Sequence, residues 1–260
     1  HHSILFSKSH TKLLPTSYDV VGSIALIKLP NVIKKHALKI GTAILKTHKN
    51  IKTVLLDSGV KTVFRIRDVE YICGEKKFET IHREHGLKFE IDLSKVYFSP
   101  RLATERKRIS GKIEDGETVL DMFAGVGPFS IYISKFSRAK KIYSCDINPD
   151  AIFYLNRNIE LNKVKNIYVL FCDAKELPSK IGKVDRIIMN LPHGGSQFLE
   201  TAIKLLKEDG TIYYYEIIER KNLDLRIIEI EKSTGSKVTE RRKVHQYSPT
   251  EAMYCYEIML

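Results

Sequence analysis

Four polar residues each close an apolar run in the second half of this 260-residue chain: Asp121 after "TVL", Asp146 after "KIYSC", Asp173 after "IYVLFC" and Asn190 after "DRIIM". One Asp in such a place is as well explained by a helix cap or a turn. Four in succession can surround one nucleoside. A carboxylate at Asp146 suits both hydroxyls of a ribose, and one at Asp173 suits the exocyclic amine of an adenine. Asn190 stands exposed where a reacting group would lie. Between the first run and the next helix, "DMFAGVGPF" supplies Gly125 and Gly127, a turn tight enough for a ligand to approach the backbone. A dinucleotide fingerprint needs a third glycine at 130, which is Ser130, so a nicotinamide cofactor is disfavoured. The acid at Asp121 opposes a phosphate-rich cofactor and suits the amine and sulfonium of S-adenosylmethionine.

These residues need strands to carry them. From Glu117 the pattern alternates "TVLDMF", "PFSIYISKF", "KIYSCDI", "PDAIFYLNRNIELN", "IYVLFCD", "DRIIMNL", "GSQFLETAIKLLK" and "GTIYYYEII". Apolar strands alternating with amphipathic helices predict an α/β domain whose parallel sheet is covered on both faces. Ligands of such sheets sit beyond the carboxyl ends of the strands. Residues 18–97 read instead as short strands around one helix over 31–48, a small α+β domain. Residues 101–112 read as a basic connecting helix. The expected organisation is a tail or tag remnant over 1–16, a small α+β domain over 17–100 and an α/β domain over 101–260.

With 43 Lys+Arg against 31 Asp+Glu, the formal charge is +12, and nucleic acid is the first acidic partner to consider. A Lys-rich surface adapted for solubility explains the same number, so charge alone does not choose. The four cysteines have no C-x-x-C spacing and read as free thiols of a cytosolic protein. No apolar stretch approaches the roughly 20 residues that cross a bilayer. A soluble, cytoplasmic monomer is expected. His193 and His245 lack ligand spacing, so no structural metal is expected.

"VYFSPRLATER", "DMFAGVGPFS", "CDINPDAI" followed by "NIELNKV", and "IMNLP" together resemble the archaeal and eukaryotic tRNA (guanine-N1)-methyltransferases, which act on guanosine 37 beside the anticodon. The resemblance runs from about Ser17 to "QYSPTEA" near the end. It implies a Rossmann-like class I methyltransferase domain with a seven-stranded, mostly parallel sheet, preceded by the small α+β domain. The resemblance also implies that the small domain faces RNA and that the larger one is catalytic, and the further small N-terminal domain usual in the family is expected to be missing. The implied cofactor is S-adenosyl-L-methionine, leaving as S-adenosyl-L-homocysteine, and the implied partner is the tRNA anticodon stem-loop.

The resemblance carries the general base onto Glu105 and a partner that stabilises O6 onto Arg65 in "VFRIRDVE". N1 of guanine carries a proton at neutral pH, so a base is required, and a guanidinium beside O6 would meet the charge that develops there. Asn190 matches the residue that reads the guanine edge. The cofactor set it implies is Tyr97, Asp121, Phe123, Gly125, Gly127, Asp146, Asn148, Asp173, Asn190 and Pro192. Arg101, Arg106, Lys107 and Arg108 border the site and are expected to meet RNA phosphate. Two other readings share the cofactor: aminocarboxypropyl transfer in the wyosine pathway, and methylation of carbon 7 of a tricyclic precursor at the same tRNA position. A silent RNA-binding scaffold is disfavoured by the intact Glu105, Arg65, Asp146 and Asn190.

Overall fold

The computed structural model describes residues 17–61 and 66–260, so the expected tail over 1–16 lies outside the described residues. The chain divides into two compact units, His1–Pro100 and Arg101–Leu260.

In the first unit, the run over 18–29 is two strands, β1 (Asp19–Val21) and β2 (Ile24–Ile27), paired antiparallel. Gly22 turns the chain at φ +55°, where a Cβ would lie 2.2 Å from Thr80 Oγ1. The helix expected over 31–48 starts as a 3-10 turn over Asn31–His36, with the N–H of Ile33 donating to the carbonyl of Pro30. It becomes α1 over Ala37–Thr47. Strand β3 (Thr53–Lys61) then runs parallel to β2, and β4 (Ile66–Gly74) antiparallel to β3. Ile33, Ile40 and Ile44 bury their side chains with Val54, Leu56 and Cys73. A hairpin, β5 (Glu79–Glu84) and β6 (Leu87–Asp92), closes through His85 and Gly86, both at positive φ as a two-residue turn requires.

In the second unit, the connecting helix is shorter than expected, α2 (Ala103–Ser110), stopped at Gly111. Seven strands follow: β7 (Thr118–Asp121), β8 (Lys141–Asp146), β9 (Ile167–Phe171), β10 (Val184–Met189), β11 (Leu206–Glu219), β12 (Lys237–Gln246) and β13 (Glu251–Met259). They lie in the order β12-β13-β11-β10-β7-β8-β9. The five from β7 to β11 are parallel to their neighbours within that set, and β13 runs antiparallel to β11 and β12. The helices between and after them are α3 (Pro128–Phe136), α4 (Pro149–Asn162), α5 (Leu199–Leu205) and α6 (Leu223–Thr234).

Period-two alternation divides the core into two layers. Val119 and Ile188 pack with Ile109, Phe129 and Tyr215 on one face, while Leu120 and Met189 pack with Leu199 and Ile230 on the other. Each fully buried Leu or Ile is worth about 1.5–3 kcal/mol, so both layers hold the strand ends in place. Strand order reverses between β7 and β10, and a crevice for a ligand opens at such a reversal, beyond the carboxyl ends. Among the described residues, no helix is long and apolar enough to cross a membrane.

Candidate active site

The loop leaving β7 is shaped by its glycines. Gly125 and Gly127 adopt φ +56° and +84°, and a Cβ on Gly127 would lie 2.2 Å from Leu155 Cδ1. Pro128 then starts α3 with its φ already set. The N–H of Gly125 donates to Asp146 Oδ2 at 2.7 Å, and the N–H of Asn148 to Asp146 Oδ1 at 2.9 Å. Asp146 therefore joins the loops after β7 and β8 and keeps acceptor capacity for a hydroxyl. Burial raises its pKa, opposed by the N–H groups of Asn148, Gly125 and Ile147.

Asp121 is almost fully buried. Its Oδ2 accepts from the hydroxyl of Ser130 at 2.7 Å, and Ser130 Oγ accepts from the hydroxyl of Ser144 at 2.7 Å. Oδ1 has no hydrogen-bond partner among the described residues. Desolvation pushes the carboxyl up to about 7, the hydroxyl and N–H of Ser130 pull it down, Asp146 raises it and Arg106 lowers it. Ser130, notable in the sequence only as a missing glycine, is thus the partner of Asp121. Ser144 was missed, and its only signal was a hydroxyl inside the apolar run "KIYSCD".

Other candidates divide between structure and recognition. Asn148 is buried and caps α4, accepting from the N–H of Asp150 at 3.0 Å. The helix terminus thus takes its amide oxygen. Asp173 is half-buried and caps a 3-10 turn, one of its oxygens accepting from the N–H of Lys175 at 2.9 Å. Phe123 sits edge-on to Phe198, with centroids 5.1 Å apart. The carbonyl of Pro192 accepts from the N–H of Ile217 at 3.2 Å, fixing the loop after β10. Asn190, at the start of that loop, has a buried Oδ1 with no hydrogen-bond partner among the described residues. Such an atom costs about 1–3 kcal/mol unless something donates to it. The orphan oxygens of Asp121 and Asn190 and the turned loop at Gly125 fit a nucleoside carrying hydroxyls, an amine and a positive centre.

Glu105 is not an open base on a helix surface. It is 5% exposed, and its Oε1 accepts from Arg108 Nη2 at 2.7 Å and from the hydroxyl of Tyr215 at 2.8 Å, while Oε2 accepts from Arg108 Nε at 2.8 Å. Arg108 Nη1 continues to Glu257 at 2.9 Å, and Lys112 Nζ donates to both oxygens of Glu257 and to Glu240.

The same helix corrects the expected basic face. An eight-residue helix against the sheet buries Glu105, Arg106, Ile109 and Ser110 together. Arg106 is 2% exposed, and Arg108 is held between two carboxylates, so neither offers its charge to phosphate. Lys107 is exposed, its Nζ 3.2 Å from the ring centroid of Phe136. Arg101 is exposed and 2.9 Å from His245 Nε2.

Within the first unit, Tyr97 is half-buried with the guanidinium of Arg67 5.0 Å over its ring. Arg67 pairs with Asp57 and Asp19 and donates to the carbonyl of Phe98 at 3.1 Å. Arg65, two residues away, lies outside the described residues. Sequence reasoning passed over Arg67, which meets Asp19 of β1 and Asp57 of β3, residues 48 and 10 positions before it in the chain.

The profile of the family described as "TRM5/TYW2 methyltransferase domain" matches residues 80–241, and that of "TYW2 N-terminal domain" matches residues 4–77, reaching into the expected tail. The chain is 49% identical over 205 residues to the tRNA (guanine(37)-N(1))-methyltransferase Trm5b of Pyrococcus abyssi, covering 78% of this chain and 61% of that protein. It is 40% identical to the Trm5b of Methanocaldococcus jannaschii, over 95% of this chain and 73% of that one. Among solved structures, Trm5b from Pyrococcus abyssi superimposes with a TM-score of 0.87 at 41% identity, over 99% of this chain and 79% of that chain. The complex of aTrm5 with tRNALeu superimposes with a TM-score of 0.87 at 39% identity, over 96% and 74%.

Proposed function

The chain belongs to the TRM5/TYW2 methyltransferase family, and from that premise we propose that it transfers a methyl group from S-adenosylmethionine to N1 of guanosine 37 in tRNA. The observation that carries the reading is the buried, open Oδ1 of Asn190 beside the strand-order reversal. A carbonyl oxygen there accepts from the N2 amine of guanine, a donor that marks guanine among the bases. The relatives named for this reaction share 40–49% identity with the chain.

In this reading Asp146 accepts the ribose hydroxyls, Asp173 reads the adenine amine, and Asp121 with the Gly125 loop faces the amino acid end of the cofactor. Tyr97 lies against the cofactor. Bound S-adenosylmethionine supplies an electrophilic methyl on a sulfonium. The protein's part is to align N1 with that methyl and to take the N1 proton. Glu105 accepts the proton, and Arg65 stabilises the charge gathering on O6. Lys107 and Arg101 supply exposed charge for the flanking phosphates, and the base must be splayed out of the anticodon loop to reach the crevice.

A second reading has its own support: the match to the TYW2 N-terminal domain over residues 4–77, and 33% identity to the tRNA(Phe) (4-demethylwyosine(37)-C(7)) aminocarboxypropyltransferase of Methanocaldococcus jannaschii, covering 89% of this chain and 93% of that one. Two parallel incubations separate the two. The protein is given methyl-labelled S-adenosylmethionine with either unmodified tRNA bearing guanosine at position 37 or tRNA bearing the tricyclic precursor there, and the tRNA is digested and analysed by mass spectrometry. Labelled 1-methylguanosine is the expected product; transfer only to a tricyclic precursor, or an aminocarboxypropyl adduct, overturns the proposal.

A further inference from the structure

Resting on the assignment of Glu105 as base, we propose that Arg108 and Tyr215 are positioning residues for it, presenting one defined lone pair of the carboxylate, on Oε2, to the substrate. A carboxylate has about four acceptor positions. Two on Oε1 are taken by Arg108 Nη2 and by Tyr215, and one on Oε2 is taken by Arg108 Nε. Among the described residues, the position left for an N1 proton is on Oε2.

The arrangement is built from separate parts of the sequence. Arg108 lies one turn along α2 from Glu105, which allows a bidentate fork. Tyr215 arrives from β11, 110 residues away, and is 0% exposed. Glu257 on β13 holds the third arm of the guanidinium and is itself held by Lys112, so the fork cannot swing freely. Further titratable groups around the cluster are Cys255 on β13, its Sγ 3.6 Å from Arg108 Nη2, Glu240 on β12 through Lys112, and Tyr213 on β11, which feels the charges of Glu257 and Cys255.

The second carboxylate has its own use. When the N1 proton arrives at Oε2, the carboxyl loses its charge while Arg108 keeps Glu257 as a carboxylate partner. No bare guanidinium is left inside the protein.

The test is the pH dependence of single-turnover methyl transfer in the full chain, with S-adenosylhomocysteine affinity measured in parallel. Tyr215→Phe keeps the shape of a buried ring and removes one donor. Its acid limb is expected to move up by about half a unit to one unit, a loss of about 3- to 10-fold at pH values well down that limb, with the rate at pH 8.5 within about twofold of the parent. Arg108→Lys keeps the charge but gives up the fork, so its plateau falls about tenfold or more and cofactor affinity is unchanged. A folded Tyr215→Phe whose limb stays in place, or a folded Arg108→Lys with the parent's rate, overturns the proposal. Glu105→Gln is the control that separates it from the reading it rests on. Near-parent rate there removes Glu105 as base, whereas loss of rate with an unmoved Tyr215→Phe limb removes only the positioning pair.

Discussion

The backbone N–H of Gly125 donates to the carboxylate of Asp146 across 2.7 Å, tying the loop that leaves β7 to the end of β8. That bond shapes the turn before any ligand arrives. Asp146→Ala should release the loop and strip two backbone donors of their acceptor, weakening affinity for S-adenosylhomocysteine about tenfold or more. Asp146→Asn keeps an acceptor for one of them and should fall between. Calorimetric titration of both variants reads the effect, and unchanged affinity in Asp146→Ala would remove this carboxylate from the cofactor site.

Arg67 carries a buried charge in the first unit, compensated by Asp57 and Asp19. Arg67→Met leaves those carboxylates facing each other and should cost about 3–5 kcal/mol of stability in denaturant unfolding. Because the same guanidinium lies over the ring of Tyr97, Arg67→Lys, which preserves a cation but not the planar group, should retain part of the stability. Stability equal to that of Arg67→Met would show that the planar group, not the charge, is what the carboxylates and the ring require.

Gly127→Ala combines two penalties. A left-handed backbone costs a non-glycine residue about 1–2 kcal/mol, and a methyl 2.2 Å from Leu155 Cδ1 adds overpacking of about 1–3 kcal/mol. Thermal unfolding should show a Tm lower by several degrees. Gly235→Ala, at a positive φ of 68° with nothing within 4 Å of the added Cβ, should show the smaller, backbone part alone.

Asp121 predicts a stability that declines as pH rises. Its carboxyl is pushed up to about 7 when folded, above the value near 3.9 of an unfolded aspartate. Between those values the folded chain holds a proton that the unfolded chain has lost, so stability falls through that window and levels off above it. Asp146, shifted in the same direction, adds to the slope. Asp121→Asn should flatten the dependence between pH 4 and 7 in chemical denaturation, and a slope equal to the parent's would show that Asp121 is ionised throughout.

Much of the architecture was legible because it is periodic. Apolar runs ending in Asp121, Asp146, Asp173 and Asn190 marked strand ends, and the sheet aligns them because parallel neighbours share one direction. The family resemblance also held, since long ordered motifs survive in a single sequence. The shorter helix at 103–110 and the strand break at Gly22 were less legible, because a helix end or a turn depends on a single residue rather than on a repeat.

What the sequence determined by itself was the alternation that makes a covered parallel sheet, the glycines at the first turn, and the family to which the motifs point. Only the tertiary structure decided which polar groups are open. "ERKR" reads as one glutamate among three cations, yet a helix pressed on a sheet buries Glu105 and Arg106, gives Arg108 to Glu105 and Glu257, and leaves Lys107 exposed. Tyr215 and Glu257 lie 110 and 152 residues beyond Glu105 in the chain, and no local pattern links them. Proximity across such distances is set by strand order, and with it the number of donors that a carboxylate must share.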